Sequence, residues 1–150
     1  MLSALKYRKQ YKNGKSLCIS GYSSFVSAYQ GGAMPEILVP TPLHWRRQFE
    51  RGFNQSELIA NDFGQLLELP VIRALRRHRY TSPQQSLLAQ QRHQNLSGAF
   101  TVCADIRGRR LALVDDVMTT GATAREMTKA LLQAGASEVH IWVLARTPEH

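Results

Sequence analysis

A chain of 150 residues and 16.9 kDa with 43% hydrophobic residues suits one domain large enough to bury a core. No apolar run is long enough to span a bilayer, and the opening MLSALKYRKQYKNGK lacks the apolar region of a signal peptide, which predicts a cytoplasmic protein that does not enter a membrane. The net charge of +8 rests on 14 Arg and 5 Lys, a balance that suits phosphate oxygens and leaves open a small phosphorylated ligand or a nucleic-acid backbone.

Residues 1–34 read as an N-terminal segment and residues 35–150 as the main domain. In the first part, SLCISGYSSFVSAYQ predicts a weak helix interrupted at Gly21 and ended by Gly31-Gly32. EILVPTP predicts a short strand over Ile37–Val39, stopped by Pro40 and Pro42. An Arg-rich loop follows, and Trp45 is expected to anchor it. Asn54 is placed to N-cap a helix, with Glu57 completing a capping box. Leu58, Ile59, Phe63, Leu66 and Leu67 form that helix's predicted apolar stripe, and Pro70 marks its exit.

PVIRAL predicts a second strand. The polar stretch Arg76–Ser97 is too long for an ordinary connection and predicts a mobile lid, with Leu87 and Leu88 to dock it when closed. GAFTV and RRLALVD predict further strands around a turn at Ile106–Arg109. Thr123 and Glu126 fit a second capping box, followed by an apolar stripe of Met127, Ala130, Leu131 and Ala134 and a terminating Gly135. EVHIWVLA reads as a strand covered on both faces, with Trp142 in the core and His140 packed or hydrogen-bonded. Alternating strands and helices predict an α/β fold with a largely parallel sheet.

Cys18 and Cys103 form no CxxC pair and are expected as buried free thiols. His44, His78, His93, His140 and His150 show no metal-ligand spacing. The informative stretch is ALVDDVMTTGAT. An apolar run ends on Asp115 and Asp116, and Thr119, Thr120, Gly121, Ala122 and Thr123 turn into the next helix. Such a turn offers backbone N–H groups at a helix's positive end, a cradle for phosphate. Carboxylates nearby accept hydrogen bonds from hydroxyls or help hold a metal ion. Ribose 5-phosphate satisfies both halves.

LALVDDVMTTGAT resembles the phosphoribosyl pyrophosphate (PRPP) motif of type I phosphoribosyltransferases. Together with VPTPLHWRRQFERGFNQSELIA and QQSLLAQQRHQNLSGAF, in that order, it resembles the ComF/GntX family of competence-associated proteins over residues 35–146. The resemblance implies a type I phosphoribosyltransferase-like fold, a parallel sheet flanked by helices with a flexible loop or hood, and a transferase acting on PRPP with Mg²⁺. It implies that Asp115 and Asp116 contact the ribose hydroxyls as catalytic residues and that Thr119–Thr123 hold the 5-phosphate. Arg46, Arg47, Arg51 and Gly52 would sit at the pyrophosphate. The ion would come with PRPP, near the acid pair and not through a dedicated metal site.

Two departures matter. Fuller family members carry cysteine-rich, zinc-ribbon-like sequence ahead of this domain; this chain has none, so it is either a short member or one whose start is lost. Purine-salvage relatives carry Asp where Thr119 stands, which disfavours a hypoxanthine or guanine acceptor. A second reading stays open: a non-catalytic PRPP- or nucleotide-sensing module, or a DNA-binding accessory protein, acting with competence or DNA-uptake proteins. RALRRHRY is its candidate nucleic-acid contact, expected to be weak and non-specific.

Overall fold

The computed structural model describes residues 22, 26–43, 52–78, 99–118 and 121–146. In chain order these give β1 (Ile37–Pro40), α1 (Gln55–Leu67), β2 (Leu75–Arg77), β3 (Phe100–Val102), β4 (Arg110–Met118), α2 (Ala122–Gln133) and β5 (Glu138–Arg146). β4 lies between β1 and β5 in an all-parallel sheet of order β1-β4-β5, and β2 and β3 form a separate antiparallel pair. The prediction of a central Leu111–Val114 strand holds.

Strand alternation divides the core in two. Ile37, Val39, Leu111 and Leu113 face a cluster with Leu75, Phe100, Met127 and Leu131, so α2 and the β2–β3 pair cover that side. Leu38, Ala112, Val114 and Trp142 face Ile59, Ala60 and Phe63, so α1 covers the other. Removing a methylene cluster from a site such as Leu113, which is 0% exposed, costs about 2–5 kcal/mol.

α1 starts where expected. Asn54 is extended and its side chain accepts from Ser56 N at 3.0 Å. Glu57 turns away from the box: its carboxylate accepts from Arg73 Nε at 2.8 Å. The buried stripe is also different from the predicted one. Ser56, Ile59, Ala60, Phe63 and Gly64 are buried, whereas Leu66 is exposed and Leu58 only half-buried. Close approach is the reason: a Cβ on Gly64 would stand 2.8 Å from Val71 Cγ2 and 2.9 Å from Leu69 O. Small residues let the helix lie against the chain leaving it.

PVIRAL is not one strand. Pro70–Ile72 borders β1, with Leu38 N donating to Pro70 O and Ile72 N to Leu38 O, both at 2.9 Å. The chain then bends at Ala74 and joins the second sheet from Leu75, so Arg76 and Arg77 belong to β2 and not to a lid. Residues 79–98, which hold the rest of the predicted lid including Leu87 and Leu88, lie outside the described residues.

β5 departs from a strand covered on both faces. It borders the described sheet, Trp142 is buried and Ile141 is 40% exposed beside Leu132 at 46%. Trp142 packs edge-on to Phe63 at 5.6 Å and donates its indole N–H to Tyr29 Oη at 2.9 Å. His140 is packed as expected, edge-on to Tyr29 at 5.3 Å and 3.2 Å from Glu138 Oε2. Cys103 is exposed, not buried. Cys18, His44, Trp45, His93 and His150 lie outside the described residues.

Candidate functional site

The carboxyl ends of β1 and β4 open into a cavity of about 450 Å³. Open α/β sheets bind ligands at such strand ends. Asp115 and Asp116 form part of its wall, with Thr41 and Pro42 from the exit of β1 and Asn54 to Ser56 from the start of α1. Gly121, Ala122 and Thr123 at the start of α2 form another part, and Arg77 reaches it from β2. Two helix N-termini, each carrying a partial positive charge, therefore border the same space as two carboxylates.

The strand does not end at the acids, as the sequence suggests, but runs on to Met118. β4 pairs with β5 through Asp115↔Val143 and on to Met118↔Arg146. Asp116 N–H turns to Asp115 Oδ1 at 2.9 Å, and Asp116 Oδ1 accepts from Val117 N at 2.9 Å. Asp115 Oδ1 also lies 3.1 Å from both Thr41 Oγ1 and Ser56 Oγ. Burial, and then the neighbouring Asp116 carboxyl, push the Asp115 carboxyl up to about 6; the Asp116 N–H and the Thr41 hydroxyl pull the other way. Asp115 thus ionises closer to neutrality than a solvated carboxyl does.

α2 does not begin at Thr123. Gly121 is the N-cap, in the left-handed conformation at φ 73, and Thr123 is already helical. A left-handed residue is where glycine has its advantage, and it sets the start of the helix against the local T-x-x-E signal. No side chain caps this end. That leaves its polarity directed at the cavity. Thr119 and Thr120 lie outside the described residues, as do Arg46, Arg47 and Arg51. Gly52 is exposed with φ 70 and is not part of the cavity wall.

The RALRRHRY basic cluster splits apart. Arg73 forms an ion pair with Glu57, and the Arg77 guanidinium lies 5.7 Å from the Phe100 ring centroid. Neighbouring positions of β2 point to opposite faces, so Arg76 and Arg77 do not act as one patch. Arg79 and Tyr80 lie outside the described residues.

Thr41 and Ser56 were not among the residues singled out for the cavity; Arg77 belongs to the 73–79 stretch, whose arginines were also expected to converge on a small ligand's phosphates. Thr41 could have been found, because VPTP marks the carboxyl end of β1 at Pro40.

Comparison with known proteins agrees with this geometry. Residues 52–150 match the phosphoribosyl transferase domain family. Competence protein F of Haemophilus influenzae is 39% identical over 117 residues, 75% of this chain and 51% of that protein. The chain belongs to the ComF family. DNA utilization protein YhgH of Escherichia coli K12 is 40% identical over 118 residues, 78% of this ComF chain and 52% of that protein. The chain spans about half the length of these curated relatives. Purine phosphoribosyltransferase from Pyrococcus horikoshii superposes with a TM-score of 0.53 at 17% identity, over 95% of this chain and 76% of that one. The ComF chain thus has the type I phosphoribosyltransferase fold.

Proposed function

We propose that the cavity binds PRPP with Mg²⁺, or a nucleotide containing ribose 5-phosphate, and that the protein is a phosphoribosyltransferase acting in the cytoplasm. One observation carries this reading: the acid pair and the uncapped start of α2 share one cavity. A phosphate at Gly121–Thr123, with Thr119 and Thr120 beside them in sequence, would place vicinal ribose hydroxyls toward Asp115 and Asp116. A volume of about 450 Å³ suits a ligand of that size, since small-molecule sites span about 300–1,000 Å³.

In this reading the carboxylates do two things. They accept hydrogen bonds from the ribose hydroxyls and orient the sugar, and their charge favours the cationic ribosyl centre that develops as pyrophosphate departs. Among the described residues no group of three or more His, Cys, Asp or Glu could hold a metal ion alone. We propose that Mg²⁺ enters with the ligand and that Asp115 and Asp116 would stand near it. The ion supplies charge neutralisation of the leaving group when bound. Arg46, Arg47 and Arg51 are proposed to face the same pyrophosphate.

Calorimetry with PRPP and Mg²⁺ tests the reading. Asp116→Asn keeps the size and removes the charge, so affinity should fall more than about tenfold, as expected for losing a charge-assisted hydrogen bond. Unchanged affinity in a folded variant would assign the acids another role. A screen for pyrophosphate release with candidate bases and amines then decides turnover.

The names of the relatives favour a link to competence and use of DNA, and we propose that this link runs through the PRPP-bound activity. Arg73 is engaged by Glu57 and Arg77 faces the cavity, which breaks up the basic cluster a DNA contact would need. DNA binding should therefore be weak, fade steeply with salt and yield to PRPP·Mg²⁺. Gel-shift titrations at low and physiological salt check this. Tight, salt-tolerant binding indifferent to PRPP would favour a DNA-binding accessory protein instead.

A further inference from the structure

Two hydroxyls beneath the acid pair have no part in the reading above. Thr41 follows β1 and Ser56 lies in the first turn of α1; they are 7% and 4% exposed. Their oxygens are 2.7 Å apart, and each is 3.1 Å from Asp115 Oδ1. Two hydroxyl protons serve three oxygen–oxygen contacts, so the Thr41 proton alternates between Ser56 and Asp115 while Ser56 donates to the carboxylate. Asn54 closes the same seam. Its Nδ2 donates to Thr41 O at 2.9 Å while its Oδ1 accepts from Ser56 N at 3.0 Å.

Capping accounts for Asn54 but not for the other two. A helix start needs no buried serine, and a strand exit needs no buried threonine, aimed at a carboxylate on a third element. Burial of hydroxyls costs desolvation that apolar side chains would avoid, and that cost is offset here by the carboxylate. The donors from Thr41, Ser56 and Asp116 N all go to Oδ1, and none of them goes to Oδ2.

We propose that Thr41 and Ser56 are positioning residues for Asp115. They hold Oδ1 so that Oδ2 is the oxygen offered to the ligand's hydroxyls. They also join β1, α1 and β4 at one carboxylate, so the two ends of the segment between Leu43 and Gly52 are fixed relative to the acid pair. The inference rests on the PRPP reading of the cavity and adds two wall residues, Thr41 and Ser56, that lie outside the stretch 115–123.

The test is calorimetry with PRPP·Mg²⁺ on the full chain, with the unfolding midpoint of each variant recorded alongside. Thr41→Val and Ser56→Ala should each bind about tenfold more weakly, the scale of a lost hydrogen bond to a charged group. Thr41→Ser keeps the hydroxyl and should stay within about threefold of wild type by the same reasoning. In an Asp115→Ala background Ser56→Ala should cause no further loss, because the group it positions is gone. The two hydroxyl variants sit on different elements, so either one decides if the other fails to fold. Full affinity in both, or an equal loss in the Asp115→Ala background, overturns the inference while Asp116→Asn still upholds the PRPP reading. A wild-type chain that does not bind PRPP·Mg²⁺ overturns both.

Discussion

Asp115→Asn should stabilise the ligand-free protein by about 2 kcal/mol at pH 8 while weakening PRPP binding more than tenfold. The Asp115 carboxyl ionises at about 6 in the fold against an ordinary 3.8. Between those values the folded chain holds a proton that the unfolded chain has released, so stability falls as pH rises. The contribution is complete below 3.8 and lost as pH passes through about 6. A shift of this size corresponds to about 3 kcal/mol, reduced toward about 2 because the side chain is only part-buried. Asparagine carries no charge at any pH, keeps an oxygen for the hydroxyl donors, and offers Asp116 a donor in place of a like charge. Urea unfolding at pH 4, 6 and 8 should show the variant's advantage absent at the first and full at the last. An advantage that does not change with pH would place its origin elsewhere.

In the proposed PRPP complex the same carboxyl would set the pH dependence of binding. Ribose hydroxyls donate to the ionised form, so affinity for PRPP·Mg²⁺ should fall as pH drops through 6, by roughly thirtyfold between pH 8 and pH 4.5 for a single proton taken up at about 6. The charged groups facing Asp115 among the cavity residues are Asp116 on its own strand and Arg77 from β2; Thr41, Asn54 and Ser56 carry no charge. The ligand's own phosphate also titrates near pH 6, and Asp115→Asn separates the two contributions. The variant should keep only the ligand's slope. Identical pH profiles for wild type and variant would remove Asp115 from the ribose contact.

Much of the sheet was legible because its signals are local. The run Leu111–Val114 is apolar on both faces, and it is the strand with a neighbour on each side and a covered layer above and below. Asn54 was legible as a cap because capping is a contact between near neighbours. What could not be read depends on distant partners. The strand runs past the acids because β5 continues to pair with it as far as Arg146. The buried stripe of α1 moved to Ser56, Ala60 and Gly64 because the chain it meets lies too close for larger residues. Thr41 and Ser56 reach Asp115 across 74 and 59 residues, a separation no local pattern records. The start of α2 was misplaced for another reason: two local signals compete there, and the left-handed glycine prevails over the threonine.

Because Asp115 and Asp116 lie within β4, whose pairing with β5 resumes at Val117, the parts of the cavity differ in how freely they can change. The acids are set by the ladder that joins β4 to β5, while Thr41, Pro42, Leu43, Asn54 and Gly121 in the same wall belong to connections. A connection can be lengthened, shortened or exchanged without unpairing a strand. On the proposed PRPP reading the site is modular: a constant grip on the sugar, with exchangeable connections around it.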